Sequence, residues 1–210
     1  MIDTANPAAP RYPALTARDQ DDAGFGLTPS QTVGPYVHIG LEPDWTASRT
    51  LVEPGTEGHI HVTITVLDGE GAPVTDAMIE TWQADAHGRF VRDTPLVGGA
   101  GFTGLARVFA DETGTVTIDT VRPGPVGAGT DGSQAPHLAV GVFARGILKR
   151  LVTRLYFPED TDAHAVDPVL AALPEKRREL LVAERSGGTY HLTVQLQDSP
   201  ARPETPFFDL

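Results

Sequence analysis

Short runs in which hydrophobic and polar residues alternate with a period of two recur along most of this chain. The clearest run is Gly58–Asp68, which places Ile60, Val62, Ile64 and Val66 on one face and His59, His61, Thr63 and Thr65 on the other. Because successive side chains of a β-strand point to opposite sides, this run predicts a strand with one buried and one polar face. Turn-forming residues follow it at Asp68–Pro73.

Further runs of strand-forming residues are separated by glycines and prolines. They are Ala77–Asp85, Leu105–Ala110, Thr115–Val121, Pro136–Ala144, Arg150–Phe157 and Tyr190–Leu196. Residues 167–184 instead have a helical pattern, which Pro174 is expected to divide into two short pieces. The pattern favours an all-β sandwich of about seven to nine short strands, with this one short helical excursion.

Composition and charge narrow the classes of function. The chain has 210 residues, enough for one domain with a hydrophobic core, and a formal net charge of −12. This acidic balance argues against nucleic acid or an anionic membrane as the main partner. The absence of cysteine excludes disulfides, thiol chemistry and cysteine-based zinc sites.

The composition of the N-terminal residues and the extent of the strand pattern suggest the domain organisation. Residues 1–27 are rich in Ala, Pro and Asp without periodicity and predict a flexible N-terminal arm, followed by one sandwich domain at residues 28–210. No run approaches the ~20 apolar residues of a membrane-spanning helix. The first residues also lack the charged start and apolar run of a secretory signal, so a cytoplasmic protein is expected.

Two glycine motifs and one histidine pair invite a functional reading. Gly99–Gly104 and Gly127–Gly132 match G-x-G-x-x-G, but neither opens a helix, so both predict loops rather than a nucleotide site. His59 and His61 share one strand face, as metal ligands would. No third or fourth ligand is implied nearby, and the neighbouring threonines favour a solvated face.

Basic residues cluster late in this acidic chain, at Arg145, Lys149, Arg150 and Arg154. If the strand that starts at Pro136 continues straight, Arg145 shares a face with His137 and Ala139. A guanidinium there could pair with a carboxylate or steady a developing anion. A charged strand end that faces water explains the spacing equally well.

Several longer segments occur together in a characteristic order. They are Pro29–Leu41 (PSQTVGPYVHIGL), Asp68–Phe90, Thr120–Val126, Ala135–Asp160 and the terminal ETPFFDL. In these segments the chain resembles the intradiol ring-cleavage dioxygenases, and the resemblance extends from Leu27 to Leu210. It implies an enzyme that uses O2 and non-haem ferric iron, held by two tyrosines and two histidines, to open catechol rings.

The iron ligands of that family are largely missing. The matching positions are Val126, His137 and Ala139, and no tyrosine lies between Tyr36 and Tyr156. Only one ligand is kept, and a lone imidazole does not hold ferric iron. The resemblance therefore implies an iron-free, alpha-type subunit, with the ferric iron held by a partner beta subunit in a hetero-oligomer.

The resemblance also implies which residues border the substrate, a small dihydroxylated aromatic carboxylate. They are Thr32, Gly34, Pro35, Tyr36 and Arg145, which would line the active site of the beta subunit. Gly34 and Pro35 would bring backbone close to a flat ring, and Tyr36 would supply a wall and a hydroxyl.

Two other interpretations remain open at this point. The chain could be a stand-alone binding or structural sandwich that has no catalytic partner, although such a scaffold has no need for Thr32–Tyr36 or Arg145. It could also be a self-sufficient metalloenzyme that uses His59 and His61. The partner-subunit interpretation ranks first and the metalloenzyme last.

Overall fold

The computed structural model describes residues 30–34, 36–41, 49–53, 55–91, 102–129 and 132–208. The chain divides into two units, Met1–Gln31 and Thr32–Leu210. The N-terminal arm expected at residues 1–27 lies outside the described residues, so it stays a prediction, as does the boundary at residue 28.

Ten strands occur in the described part of the chain. They are β1 (His59–Leu67), β2 (Met78–Trp82), β3 (Leu105–Phe109), β4 (Thr115–Val121), β5 (Val126–Gly129), β6 (Gly132–Gln134), β7 (His137–Phe143), β8 (Leu151–Tyr156), β9 (Glu184–Ser186) and β10 (Thr189–Gln195). The first sheet has the order β4-β1-β10-β9 and the second β3-β2-β7-β8, while β5 pairs with β6. Strands β1 and β10 run parallel, and the other pairs are antiparallel.

The core lies between the two four-stranded sheets. In β1 the side chains of Val62, Ile64 and Val66 are fully buried, whereas the residues between them are at least partly exposed. Strand β7 of the second sheet contributes its even-numbered residues to the same hydrophobic cluster. Each sheet therefore buries one face against the other, as period-two alternation requires. The expected all-β sandwich is confirmed.

Short helices accompany the sandwich. They are α1 (Tyr36–Leu41), α2 (Thr161–Val166), α3 (Pro168–Ala171), α4 (Glu175–Arg178) and a 3-10 turn at Glu179–Leu181. Pro174 separates α3 from α4, as predicted. The helical excursion was expected at residues 167–184, but it starts at Thr161 and ends at Leu181. Glu184 belongs to β9 instead. Buried Leu170 and Leu181 pack with Tyr156 in a second, smaller cluster.

The two glycine motifs have different outcomes. Gly127–Gly132 was expected to be a loop, but its ends belong to the hairpin formed by β5 and β6. Gly99–Gly104 is described only from residue 102 onward. Among the described helices, none has the length and apolar character needed to cross a membrane. A cytoplasmic location stays a prediction.

Candidate functional site

The outward face of the second sheet carries the residues that the sequence singled out. On β7, His137, Ala139 and Phe143 are odd-numbered and point away from the core that Leu138 and Val140 help to form. One end of this face adjoins Arg145, and the other carries the positions that match the iron ligands.

At the Arg145 end, the chain forms a turn instead of extending the strand. Strand β7 ends at Phe143, so Arg145 does not continue it, contrary to the straight-strand expectation. The backbone N–H and Nε of Arg145 both donate to Oδ2 of Asp76, at 3.1 and 2.7 Å. The next residue, Gly146, donates its N–H to Oγ1 of Thr32 at 3.0 Å. This bond joins residues that are 114 positions apart in the sequence. The structure thus brings Thr32 next to Arg145.

A pocket of ≈ 260 Å³ opens beside this turn. Its lining is mostly apolar, with one acid and one base: Val33, Gly34, Val37, Asp76, Met78, Phe109, Phe143 and Arg145. Gly34 has a φ of 64°, a left-handed conformation that favours glycine and lets the chain turn into α1. The Arg145 side chain is 74% exposed, so its charge remains open to a partner or ligand.

Four of the five predicted substrate-lining positions were assigned to the segment at Thr32–Tyr36. Thr32 and Gly34 lie at the turn and pocket just described. Pro35 lies outside the described residues, as does the side chain of Tyr36. Asp76, which holds Arg145, was missed because no local pattern marks it as a partner of a residue 69 positions away.

At the other end of the face, the three positions that match the iron ligands each have a polar neighbour on the adjacent strand. Strand pairing places Val126 opposite Gln134, Ala139 opposite Arg154 and His137 opposite Tyr156. Nη1 of Arg154 donates to Oε1 of Gln134 at 2.9 Å and contacts the Tyr156 hydroxyl at 3.1 Å. The Arg154 guanidinium therefore connects β8 to β6, the two strands that pair with those carrying the matching positions.

His137 is buried and neutral in this environment. Its Nδ1 lies 2.8 Å from the carbonyl oxygen of Ala135, which can only accept, so Nδ1 carries the proton. Burial and the charge of Arg154 lower the pKa of His137 to about 4. Burial likewise raises the pKa of Tyr156 to about 12, so its phenol stays protonated.

A buried carboxylate completes this polar network. Asp167 is fully buried, and its Oδ2 accepts the Ala135 N–H at 2.8 Å. Its Oδ1 accepts the N–H groups of Val169 at 2.8 Å and Leu170 at 3.0 Å, which caps α3. The Tyr156 hydroxyl approaches the same oxygen at 3.4 Å.

These residues do not fit ferric iron. The matching positions offer one imidazole, and Arg154, which pairs with Ala139, holds its guanidinium on Gln134 and Tyr156 beside them. A trivalent cation would be repelled by that charge and would lack anionic ligands from Val126 and Ala139. That this chain has no iron site of its own stays a prediction, and Arg154 gives it a physical reason that the spacing did not indicate.

The two ends of the face are well separated. Ala139 and Phe143 are four residues apart on β7, roughly 13 Å along an extended strand. Between them, Gly141 pairs with Glu80, whose carboxylate accepts two bonds from Arg107 at 2.8 and 2.6 Å. One substituted benzene ring cannot touch both ends.

Comparison with known proteins identifies the protein family of this chain. Residues 36–193 match the dioxygenase family, and the chain belongs to that family. Within it, the chain is a relative of protocatechuate 3,4-dioxygenase alpha chains, being 39% identical to the one from Burkholderia cepacia over 87% of this chain and 97% of the relative. The family resemblance inferred from the motifs is confirmed.

Two further relatives extend this comparison. The protocatechuate 3,4-dioxygenase beta chain of Burkholderia cepacia is 36% identical over 89% of this chain and 81% of the relative. The structure of an intradiol ring-cleavage dioxygenase from Tetranychus urticae superposes with a TM-score of 0.54 at 18% identity, covering 83% of this chain and 98% of that chain. At that identity the likeness supports the fold alone.

Proposed function

We propose that this chain is the alpha subunit of a protocatechuate 3,4-dioxygenase and completes the substrate pocket of an iron-bearing beta subunit. One observation carries the proposal: Thr32 and the turn at Arg145 form an exposed pocket, whereas the positions that match the iron ligands offer one imidazole and lie beside the Arg154 guanidinium. Since the two lie too far apart for one substrate, the turn is suited to act in the site of another chain. The alpha and beta names of the relatives support a heteromeric enzyme.

The proposed reaction is intradiol cleavage of 3,4-dihydroxybenzoate. Both atoms of O2 enter the product, 3-carboxy-cis,cis-muconate, as the bond between the hydroxyl-bearing carbons breaks. Ferric iron on the beta subunit would supply the chelation and activation of the catecholate. The residues of this chain would position the substrate and exclude water.

Arg145 has the chemistry for recognising the substrate carboxylate. Its guanidinium offers five N–H donors, and Asp76 engages Nε. Holding one edge of the guanidinium limits its freedom, which lowers the entropy lost on binding an anion. Burial beneath a docked subunit would strengthen the ion pair, because the local dielectric constant falls.

Metal content and colour test the subunit assignment. The purified chain alone is expected to be colourless and free of iron, because Arg154 and the missing ligands oppose Fe³⁺ binding. Co-expression with a beta-type chain of the same family should yield a coloured, iron-containing complex that cleaves protocatechuate. Stoichiometric iron in the isolated chain, or failure of the two chains to co-purify, would contradict the proposal. The second result would favour a stand-alone structural or binding module.

Arg145→Ala tests the carboxylate contact within the complex. We expect kcat/KM for protocatechuate to fall about tenfold, since a hydrogen bond to a charged group contributes about 1.5 kcal/mol or more. The iron content should not change. The kcat/KM for unsubstituted catechol, which has no carboxylate, should fall less than that for protocatechuate. Arg89→Ala is a matched control, because Arg89 is 73% exposed and also pairs with an aspartate, Asp85, at 2.9 Å. Equal losses for both substrates would contradict carboxylate recognition.

A further inference from the structure

The first sheet carries a cluster of possible metal ligands on its outward face. His59 and His61 of β1 face the same side, and strand pairing places Asp119 of β4 directly opposite His61. Nε2 of His59 lies 3.2 Å from Oδ1 of Asp119, and Nδ1 of His61 lies 2.6 Å from the same oxygen. One donor atom from each of the three residues therefore falls within 4.8 Å of the others.

We propose that His59, His61 and Asp119 bind a divalent transition-metal ion such as Zn²⁺. Imidazole nitrogens and carboxylate oxygens are ligands that this class of ion accepts. Donors about 2.0 Å from a tetrahedral ion lie about 3.3 Å apart, so small side-chain rotations suffice to admit the ion. This inference does not depend on the proposed function.

The surroundings favour a cation and access to solvent. The carboxylate of Asp119 can supply an anionic ligand to a cation. The two imidazole rings pack edge to face, with centroids 4.6 Å apart. The side chains of His59, His61 and Asp119 are 18%, 49% and 28% exposed. Water can therefore reach the ion and complete its coordination. Both strands are held in register by the β1–β4 ladder, which limits the cost of assembling the ligands.

In the sequence, no third ligand adjoins the pair His59 and His61. Asp119 is 60 residues from His59, so only the antiparallel pairing of β1 with β4 reveals it. A third histidine on the same sheet, His191, is engaged elsewhere: its Nδ1 lies 2.9 Å from Oγ1 of Thr63. His191 therefore serves as a matched control.

Titration of the metal-stripped full chain with Zn²⁺ tests the site. Calorimetry should find one equivalent bound, and His61→Gln or Asp119→Asn should weaken binding at least about tenfold. Loss of a residue that merely orients a ligand already weakens metal binding by about 10- to 100-fold. His191→Gln should leave the affinity unchanged. Binding should also weaken in acid, because imidazole must lose its proton to coordinate.

Three further readouts distinguish a lost metal ligand from misfolding. Far-ultraviolet circular dichroism should be the same for all variants, and Zn²⁺ should raise the thermal midpoint of the wild type and His191→Gln but not of His61→Gln. Co²⁺ should give a visible absorption band that Asp119→Asn removes. No saturable binding by the wild type would overturn the proposal, as would equal affinity in wild type and His61→Gln or an equal loss in His191→Gln.

Discussion

Asp167→Ala is expected to lower the free energy of unfolding by about 4 kcal/mol. The carboxylate is fully buried and accepts N–H groups from three residues, two of them in the first turn of α3. Alanine can accept none of these bonds, and each unsatisfied buried donor costs about 1–3 kcal/mol. Two of the three bonds form the cap of α3, so the loss of the cap is part of that cost.

Urea unfolding of the full chain measures this effect. Asp167→Asn should cost only about half as much, because its one remaining side-chain oxygen can still cap α3 but cannot also accept from Ala135. The control is Asp162→Ala, an exposed residue in the first turn of α2, which should stay within about 0.5 kcal/mol of wild type. Similar values for Asp167→Ala and Asp162→Ala would show that the buried network contributes little.

Acid should destabilise this protein through His137. Because burial lowers the folded-state pKa of His137 from 6.5 to about 4, the unfolded chain binds more protons between these values. The stabilisation that neutral His137 contributes is therefore fully present above about pH 6.5, and it is lost progressively as the pH falls towards about 4. The full contribution is about 3 kcal/mol, of which about 2 kcal/mol should disappear between about pH 7 and about pH 5.

The comparison with His137→Gln isolates this contribution. Burial also lowers the pKa of His164, which acts in the same direction, so the wild-type curve alone does not identify the group. Unfolding free energies of wild type and variant should converge as the solution becomes acidic. His87→Gln, which replaces an exposed histidine, should follow the wild type at every pH. Parallel curves for wild type and His137→Gln would refute the assignment.

Both predictions concern the place where the family's iron ligands would lie. There the chain has a network that runs from Gln134 through Arg154 and Tyr156 to Asp167. Such a network stabilises a fold only while its buried members are satisfied. Introducing single ligand residues, such as Ala139→His, would not create an iron site, because Arg154 would still oppose the cation.

Most of the strand pattern was predictable from the sequence, with ends within about three residues of the observed ones. The alternation over Gly58–Asp68 corresponds to β1, and the other predicted runs correspond to β2, β3, β4, β7, β8 and β10. Strands β5, β6 and β9 were missed because they are only three or four residues long, too short to show a period. The helical excursion was recognised, but its start was misplaced because Thr161–Val166 contains β-branched and acidic residues that weaken a helical pattern.

The sequence by itself determined the sandwich and the family, because periodicity and motif order are local properties of the chain. Only the tertiary structure decided which side chains meet. It brought Asp76 to Arg145, Arg154 across from Ala139 and Asp119 to the histidine pair. These partners are distant in sequence, and strand register makes them neighbours. Register depends on the burial of whole faces, which no single segment encodes.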